Sequence, residues 1–164
     1  MDHPFPRSWL LVSGVLAGRS EEVLEQRHSS SGSAGVDGQP ALTIDQLLIQ
    51  SRLGLERVLP EDLDREVSAG ALVVDTRPID QRDRDGDLPG AIVIDRNVLE
   101  WRLDPSSPSR LPIADDYSRR IVIVCNEGYS SSLAAYTLQQ LGLTRATDLV
   151  GGFQAWLALQ NRAI

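Results

Sequence analysis

The sequence predicts an α/β domain built around a mostly parallel β-sheet. Three short apolar runs are rich in β-branched residues, at residues 71–75 (ALVVD), 91–95 (AIVID) and 121–125 (IVIVC), and a weaker run follows at 146–150. Apolar runs that do not alternate with polar residues are typical of strands buried on both faces. Helical patterns lie between the runs, and this alternation of strand and helix indicates a parallel sheet.

The first 55 residues divide into two parts. Residues 1–40 are predicted to be a flexible N-terminal extension that ends in a Ser/Gly-rich linker (SSSGSAGVDGQP). A short accessory helix is expected within residues 41–55, because Thr43 and Gln46 form a capping box and Gly54 is a suitable stop. We expect this helix to pack on the domain that follows, through an apolar face formed by Ile44, Leu47 and Leu48.

The main domain is predicted to span residues 56–164. It opens with a short strand at residues 57–59, and the next helix begins at Pro60 and ends at Gly70. A later helix follows the 121–125 run and ends at Gly142, with an apolar stripe formed by Ala134, Leu138 and Leu141.

Length and composition limit the functions to consider. With 164 residues, 41% of them hydrophobic, the chain is long enough for one domain with a real core. The net charge of −7 argues against nucleic acid or an anionic membrane surface as a partner. No apolar run is long enough to span a bilayer, and the stretch from Trp9 to Gly18 is a weak secretory signal. One cysteine excludes an internal disulfide and fits a reducing compartment, so we expect a cytoplasmic protein.

The basic residues exclude several mechanisms. All 16 Lys and Arg residues are arginine, so a lysine Schiff base is excluded. His3 and His28 both precede the predicted domain. A Cys–His dyad, a Ser–His–Asp triad and a histidine metal site are therefore not expected there.

Cys125 ends the third apolar run and precedes a glycine-bearing loop and a helix. Ligands of parallel sheets bind beyond the carboxyl ends of strands. Gly128 permits a positive φ, and successive N–H groups of such a loop can form an anion site that the following helix N-terminus reinforces. A thiol in that field ionises more readily, although a lone cysteine at a strand end is also common as inert packing. Its position alone leaves both interpretations open. Further hydroxyl donors are supplied by Ser130, Ser131 and Ser132.

Four segments resemble, in order, the motifs of single-domain rhodaneses, which are sulfurtransferases. Residues 125–131 (CNEGYSS) resemble the family's Cys-x-x-Gly-x-(Ser/Arg)-(Ser/Thr) loop. Residues 75–77 (DTR), 87–91 (DLPGA) and 151–156 (GGFQAW) resemble its Asp-x-Arg, His-Ile-Pro-Gly-Ala and Gly-Gly-x-x-x-Trp motifs, with Asp87 where histidine is common.

The resemblance implies a rhodanese-like fold with a central, mostly parallel five-stranded sheet flanked by helices. It also implies that Cys125 is the catalytic residue and carries a sulfane sulfur as a persulfide. The donor would be thiosulfate or a persulfide, and the acceptor would be cyanide or a thiol, including a protein thiol. No metal or cofactor is implied. Substrate is expected to bind the backbone N–H groups of the loop, which are those of Asn126, Glu127, Gly128, Tyr129, Ser130 and Ser131.

Two charged residues near this loop have alternative roles. Arg77 is expected to form a structural ion pair with Asp75, but it could instead lend positive potential to the loop. Glu127 is expected to point into solvent; a direct role would oppose thiolate formation and repel a dianionic donor.

Other functions remain as alternatives. Because the loop has no cation, the chain could be a rhodanese-like sulfur carrier, or a partner-binding or sensor module, without turnover. Phosphatases of this fold use a Cys-x5-Arg loop, and Ser131 stands at the arginine position, so phosphatase activity is disfavoured. A thiol redox sensor would need a second thiol from outside the chain. Trp101 is expected to be buried, although it could instead line the mouth of the site.

Overall fold

The computed structural model describes residues 41–162, which contain four strands and six α-helices. The strands are β1 (Leu72–Asp75), β2 (Ile92–Val93), β3 (Ile121–Val124) and β4 (Ala146–Asp148). The helices are α1 (Ile44–Arg52), α2 (Leu63–Ser68), α3 (Ile79–Asp85), α4 (Leu99–Leu103), α5 (Ser130–Gln140) and α6 (Gly152–Arg162). The predicted extension and linker lie outside the described residues. None of the helices within 41–162 combines the length and the apolar character needed to cross a membrane.

The strands form one parallel sheet in the order β2-β1-β3-β4, which confirms the predicted α/β class. The central strands β1 and β3 are buried on both faces, whereas Val93 of the edge strand β2 is 50% exposed. Leu72 and Val74 of β1 contribute to one hydrophobic cluster, together with residues of α4 and α5, while Val73 contributes to a second one. Side chains of successive strand residues point to opposite faces, so two buried faces require a continuous apolar run. This explains why the strand sequences do not alternate.

The described sheet has four strands, so the expectation of five was wrong. The segment predicted as a strand at residues 57–59 forms a single parallel bridge, between Val58 and Leu149. The N–H of Val58 donates to the Asp148 carbonyl (2.9 Å), and the Val58 carbonyl accepts from the N–H of Val150 (2.8 Å). Pro60 has no N–H and begins a 3-10 turn (Pro60–Asp62), so the ladder cannot continue past this point.

Helix α1 has the predicted capping box: the Thr43 hydroxyl accepts from the Gln46 N–H (3.2 Å), and the Gln46 side chain accepts from the Thr43 N–H (2.9 Å). Its contact face differs from the prediction. Leu48 and Ser51 are buried, and α1 packs against α5. Ile44 is 63% exposed, so the predicted apolar face is only partly covered.

Trp101 is 61% exposed, so the expectation that it is buried was wrong. Its short helix α4 buries Leu99 and Leu103 instead. These two residues are four positions apart and lie on one face of the helix, which places Trp101 outside that stripe.

Candidate functional site

The carboxyl ends of three neighbouring strands meet around Cys125. The cysteine directly follows β3, which lies between β1, ending at Asp75, and β4, ending at Asp148. The loop after Cys125 rests on the first turn of α6: the N–H of Phe153 donates to the Cys125 carbonyl (2.9 Å), and the N–H of Gln154 donates to the carbonyl of Asn126 (3.0 Å). The α6 N-terminus therefore holds the loop through otherwise unpaired N–H groups.

Glycines are required where the loop meets the turn before α6. Gly128 has φ +76°, and a Cβ there would lie 2.8 Å from the Gly151 nitrogen. A Cβ on Gly152 would lie 2.5 Å from the Cys125 carbonyl oxygen. Side chains at these positions would push the two backbones apart, so the loop shape depends on Gly128 and on the Gly-Gly pair together.

The Cys125 sulfur lies within a set of hydrogen-bond donors. Its Sγ is 3.2 Å from the Gly128 nitrogen, 3.4 Å from the Ser131 nitrogen and 3.1 Å from the Ser131 Oγ. Burial, the largest single influence, raises the pKa of the thiol, but hydrogen bonds from the Ser130 and Ser131 hydroxyls and from the Ser131 and Glu127 N–H groups together outweigh it. The Cys125 pKa is therefore lower than that of an ordinary thiol. Such a group supplies the reactive thiolate more readily.

A buried carboxylate, that of Asp148, accepts hydrogen bonds from two serine side chains of α5. Asp148 is fully buried and accepts from the Ser132 hydroxyl (2.7 Å) and the Ser131 hydroxyl (3.1 Å). Arg57 forms a two-pronged ion pair with the same carboxylate, at 2.7 and 3.0 Å. A buried charge requires such pairing, and the pair in turn fixes the two serine side chains.

A pocket of about 340 Å³ opens above the sulfur. It is lined by Thr76, Arg77, Pro78 and Gln81 on one side and by Cys125, Asn126, Glu127, Tyr129 and Ser130 on the other. Four of the six predicted loop residues therefore line one pocket, while Gly128 and Ser131 are buried and do not line it. Asn126 accepts from the Gln154 side chain (3.1 Å), while the side chains of Glu127 and Tyr129 are exposed at the rim.

Arg77 lines the pocket but is only 2% exposed. Its guanidinium pairs with Asp75 (2.7 Å), donates to the Gly86 carbonyl (2.9 Å) and lies 3.4 Å above the centre of the Phe153 ring. These contacts join β1, the end of α3 and α6. Most of its hydrogen-bonding capacity is committed to the scaffold rather than to the pocket.

Sequence reasoning missed four residues around the loop: Arg52, Arg57, Ser132 as a partner of Asp148, and Asp148 itself. The signal for Asp148 was a carboxylate at the end of a strand beside the cysteine strand. The two arginines gave no signal, because their contacts to Gly128 span 76 and 71 positions of chain. Within residues 41–162, no group of three or more His, Cys, Asp or Glu side chains is arranged to hold a metal ion.

Known proteins resemble this chain in sequence and structure. The adenylyltransferase and sulfurtransferase uba4 of Emericella nidulans is 28% identical in an alignment of 119 positions that covers 62% of this chain. The chain spans about a quarter of that relative's length, since the match covers 25% of it.

Two solved structures illustrate the structural similarity. A Rhodopseudomonas palustris protein of unknown function, described as a possible tyrosine phosphatase, is 30% identical, with a TM-score of 0.67 over 77% of this chain and 97% of that one. The human single-domain sulfurtransferase TSTD1 is 24% identical, with a TM-score of 0.52 over 62% of this chain and 95% of its own. The second likeness shows the fold alone.

The sequence model of the rhodanese-like domain matches residues 59–159, which is more than half of the chain. This segment contains the parallel sheet, the cysteine loop and the first turn of α6. The chain belongs to the rhodanese-like domain family.

Proposed function

We propose that the protein is a sulfurtransferase that works through a persulfide on Cys125. The observation that carries this proposal is the pair of N–H donors at the Cys125 sulfur, from Gly128 and Ser131, with the Ser131 hydroxyl oxygen also 3.1 Å from the sulfur. These donors stabilise an anionic sulfur, which is the nucleophile that the reaction needs.

The first half-reaction loads the enzyme. The Cys125 thiolate attacks the sulfane sulfur of the donor, a new S–S bond forms, and the donor's own S–S bond breaks. A persulfide donor leaves as its thiolate, and thiosulfate leaves as sulfite. In the second half-reaction, cyanide or an acceptor thiolate, including that of a protein thiol, attacks the outer sulfur of the Cys125 persulfide. The product is thiocyanate or a new persulfide, and the Cys125 thiolate is regenerated.

No histidine base takes part in this scheme, since residues 41–162 contain no histidine. The lowered pKa of Cys125 replaces such a base, because it increases the fraction of reactive thiolate at a given pH. A reactive lone thiol also persists best in a reducing compartment, so we place the protein in the cytoplasm.

The pocket rim favours donors of low negative charge. Glu127 is exposed beside the loop, and the charge of Arg77 in the pocket wall is balanced by Asp75. The Glu127 carboxylate repels a dianion such as thiosulfate. The persulfide group of an organic donor carries at most one negative charge and is repelled less. We therefore rank persulfides above thiosulfate as donors.

Intact-mass measurement tests the proposal. The chain is incubated with thiosulfate and, separately, with a low-molecular-weight persulfide. We expect a gain of one sulfur atom that is absent in Cys125→Ala and is removed by cyanide or dithiothreitol. No gain with either donor would contradict the proposal.

A sulfur carrier without turnover is a second candidate, favoured by the exposed Glu127 carboxylate beside the thiol. Steady-state transfer to cyanide or dithiothreitol separates the two functions, because a carrier would load once and not cycle. Hydrolysis of para-nitrophenyl phosphate serves as a comparison. We expect none, because Ser131, whose hydroxyl bonds to Cys125 and Asp148, stands at the position of the phosphatase arginine.

A further inference from the structure

The carbonyl of Gly128 has an unusual set of partners. The Arg52 Nη2 donates to it at 2.7 Å, and the Arg57 Nη2 lies at 3.3 Å. The Ser132 hydroxyl also lies within reach, at 3.1 Å. Two guanidinium groups therefore converge on one backbone oxygen of the loop that surrounds the Cys125 sulfur.

A count of protons shows that the arginines carry this contact. The Ser132 hydroxyl has one proton to donate, and it has two acceptors within reach: Asp148 at 2.7 Å and Gly128 at 3.1 Å. The shorter contact, to a charged carboxylate, is the stronger one. Ser132 in turn accepts from the Arg52 Nε at 3.0 Å. The Gly128 carbonyl is therefore left mainly to the two arginines.

Helix α1 places Arg52 at this position. Leu48 and Ser51 are buried against α5, and Arg52 lies four residues after Leu48, on the same side of the helix. The Arg52 guanidinium also lies 5.7 Å from the centre of the Tyr129 ring, within the range of a cation–π contact. Arg52 thus touches Gly128, Tyr129 and Ser132, yet it lies outside residues 59–159, which the family model matches.

We propose that Arg52 is a positioning residue that holds the Gly128 carbonyl in place and supplies the cationic charge that the loop itself lacks. The carbonyl that Arg52 contacts lies in the peptide between Gly128 and Tyr129, and the N–H that donates to the Cys125 sulfur at 3.2 Å lies in the adjacent peptide between Glu127 and Gly128. The two peptides share the Gly128 Cα, so a shift of the first alters the hydrogen bond that the second makes to the thiolate. The inference rests on the proposed role of Cys125 as a nucleophile. It assigns to the accessory helix a direct influence on how readily that thiol ionises.

The charges around the loop support this role. Arg57 is paired with the fully buried Asp148, so these two charges largely cancel. Arg52 adds a further positive charge next to the loop, at the Gly128 carbonyl, and it does not line the pocket. A positive charge near a thiol favours its ionised form.

The rate of alkylation of Cys125 by iodoacetamide, measured against pH on the 164-residue chain, tests the inference. Because only the thiolate reacts, we expect Arg52→Gln to slow alkylation by about threefold to tenfold near pH 6 and to move the midpoint to higher pH. Arg52→Lys keeps the positive charge but cannot contact Ser132 and Gly128 with two separate nitrogens. Its alkylation rate should therefore lie between those of Arg52→Gln and the wild type. Arg65→Gln is the matched control, because Arg65 is 74% exposed on α2 and should leave the profile unchanged.

A wild-type alkylation profile in Arg52→Gln would overturn the inference. If that variant does not fold, as judged by thermal melting, the profile of Arg52→Lys decides, and an unchanged profile overturns it as well. The measurement uses no sulfur donor. A chain that fails to accept sulfur but shows the expected alkylation profiles would contradict the proposed function and leave the role of Arg52 intact.

Discussion

A methyl group added at Gly128 should both destabilise the fold and weaken the thiolate site. Gly128→Ala introduces a Cβ at φ +76°, which is unfavourable for any residue with a side chain. The new atom would lie 2.8 Å from the Gly151 nitrogen, and 3.0 Å from both the Gly152 nitrogen and the Leu149 oxygen. All three are backbone atoms, so no side-chain rotation can relieve the contacts.

The magnitude follows from two contributions. A left-handed backbone conformation costs about 1–2 kcal/mol for a residue with a Cβ, and overpacking costs about 1–3 kcal/mol more. We therefore expect the free energy of unfolding to fall by about 2–5 kcal/mol. The displaced Gly128 N–H also loses its 3.2 Å contact to the Cys125 sulfur. Hydrogen bonds to charged groups contribute about 1.5–3 kcal/mol, so thiolate reactivity near pH 6 should fall by about tenfold or more.

Gly90→Ala is the matched control. Gly90 has φ +75°, almost the same as Gly128, but a Cβ there would have no heavy atom within 4 Å. The free energy of unfolding of Gly90→Ala should fall only by the conformational contribution, about 1–2 kcal/mol, and its Cys125 alkylation should be unchanged. Urea unfolding and alkylation against pH measure the two effects.

Equal losses of stability in Gly128→Ala and Gly90→Ala would refute the close contact between the loop and the turn before α6. Unchanged Cys125 alkylation in Gly128→Ala would refute the assignment of the Gly128 N–H as a donor to the sulfur. The two readouts are separable, because a variant can lose stability and still keep its thiol environment in the folded fraction.

Four further predictions concern the same site. Ser131→Ala removes the hydroxyl 3.1 Å from the sulfur, so alkylation near pH 6 should slow by about tenfold, and wild-type rates would contradict the contact. Asp148→Asn leaves Arg57 without its charged partner; we expect a loss of about 3 kcal/mol in urea unfolding, at the low end for buried pairs because Arg57 is 19% exposed. Since the folded-state pKa of Cys125 is depressed, the thiolate favours the folded chain: the stability that this thiol contributes, measured against Cys125→Ala, should be fully present above the pKa of the unfolded thiol and should be lost as pH falls through the lower folded-state pKa. A stability difference that grows towards acid pH would contradict that sign. Glu127→Gln should raise kcat/KM for thiosulfate about threefold at low salt and less at high salt, whereas an unchanged value would place this carboxylate away from the donor's path.

The sequence was most informative where local pattern decides structure. The apolar runs predicted β1 and β3 because both strands are buried on both faces, which favours apolar residues at nearly every position. The capping box predicted the start of α1 because its two hydrogen bonds link residues three apart. The expected strand at residues 57–59 was wrong because strand length depends on how far pairing with Leu149 can continue before Pro60.

The site was predictable only in part, for a similar reason. Cys125 and Gly128 carried signals in their own segment, at the end of an apolar run and at a turn. The contacts of Arg52, Arg57 and Asp148 are fixed by the tertiary fold, since Arg57 and Asp148 are 91 positions apart. One sequence contains no pattern that pairs such distant charges. The buried side of the loop therefore became visible only in the structure.

The arrangement of charge around Cys125 links its reactivity to its choice of substrate. The positive charge of Arg52 reaches the loop through the carbonyl of Gly128, and neither Arg52 nor a residue of the loop presents a cation in the pocket lining. Glu127 lies at the open side instead. Backbone and hydroxyl donors make the Cys125 thiol more acidic because they stabilise its thiolate. They do so without placing a cationic surface in front of an approaching dianion. If the protein is the sulfurtransferase proposed above, we therefore expect Cys125 to accept sulfur faster from a persulfide than from thiosulfate, and the ratio of loading rates for these two donors tests this expectation.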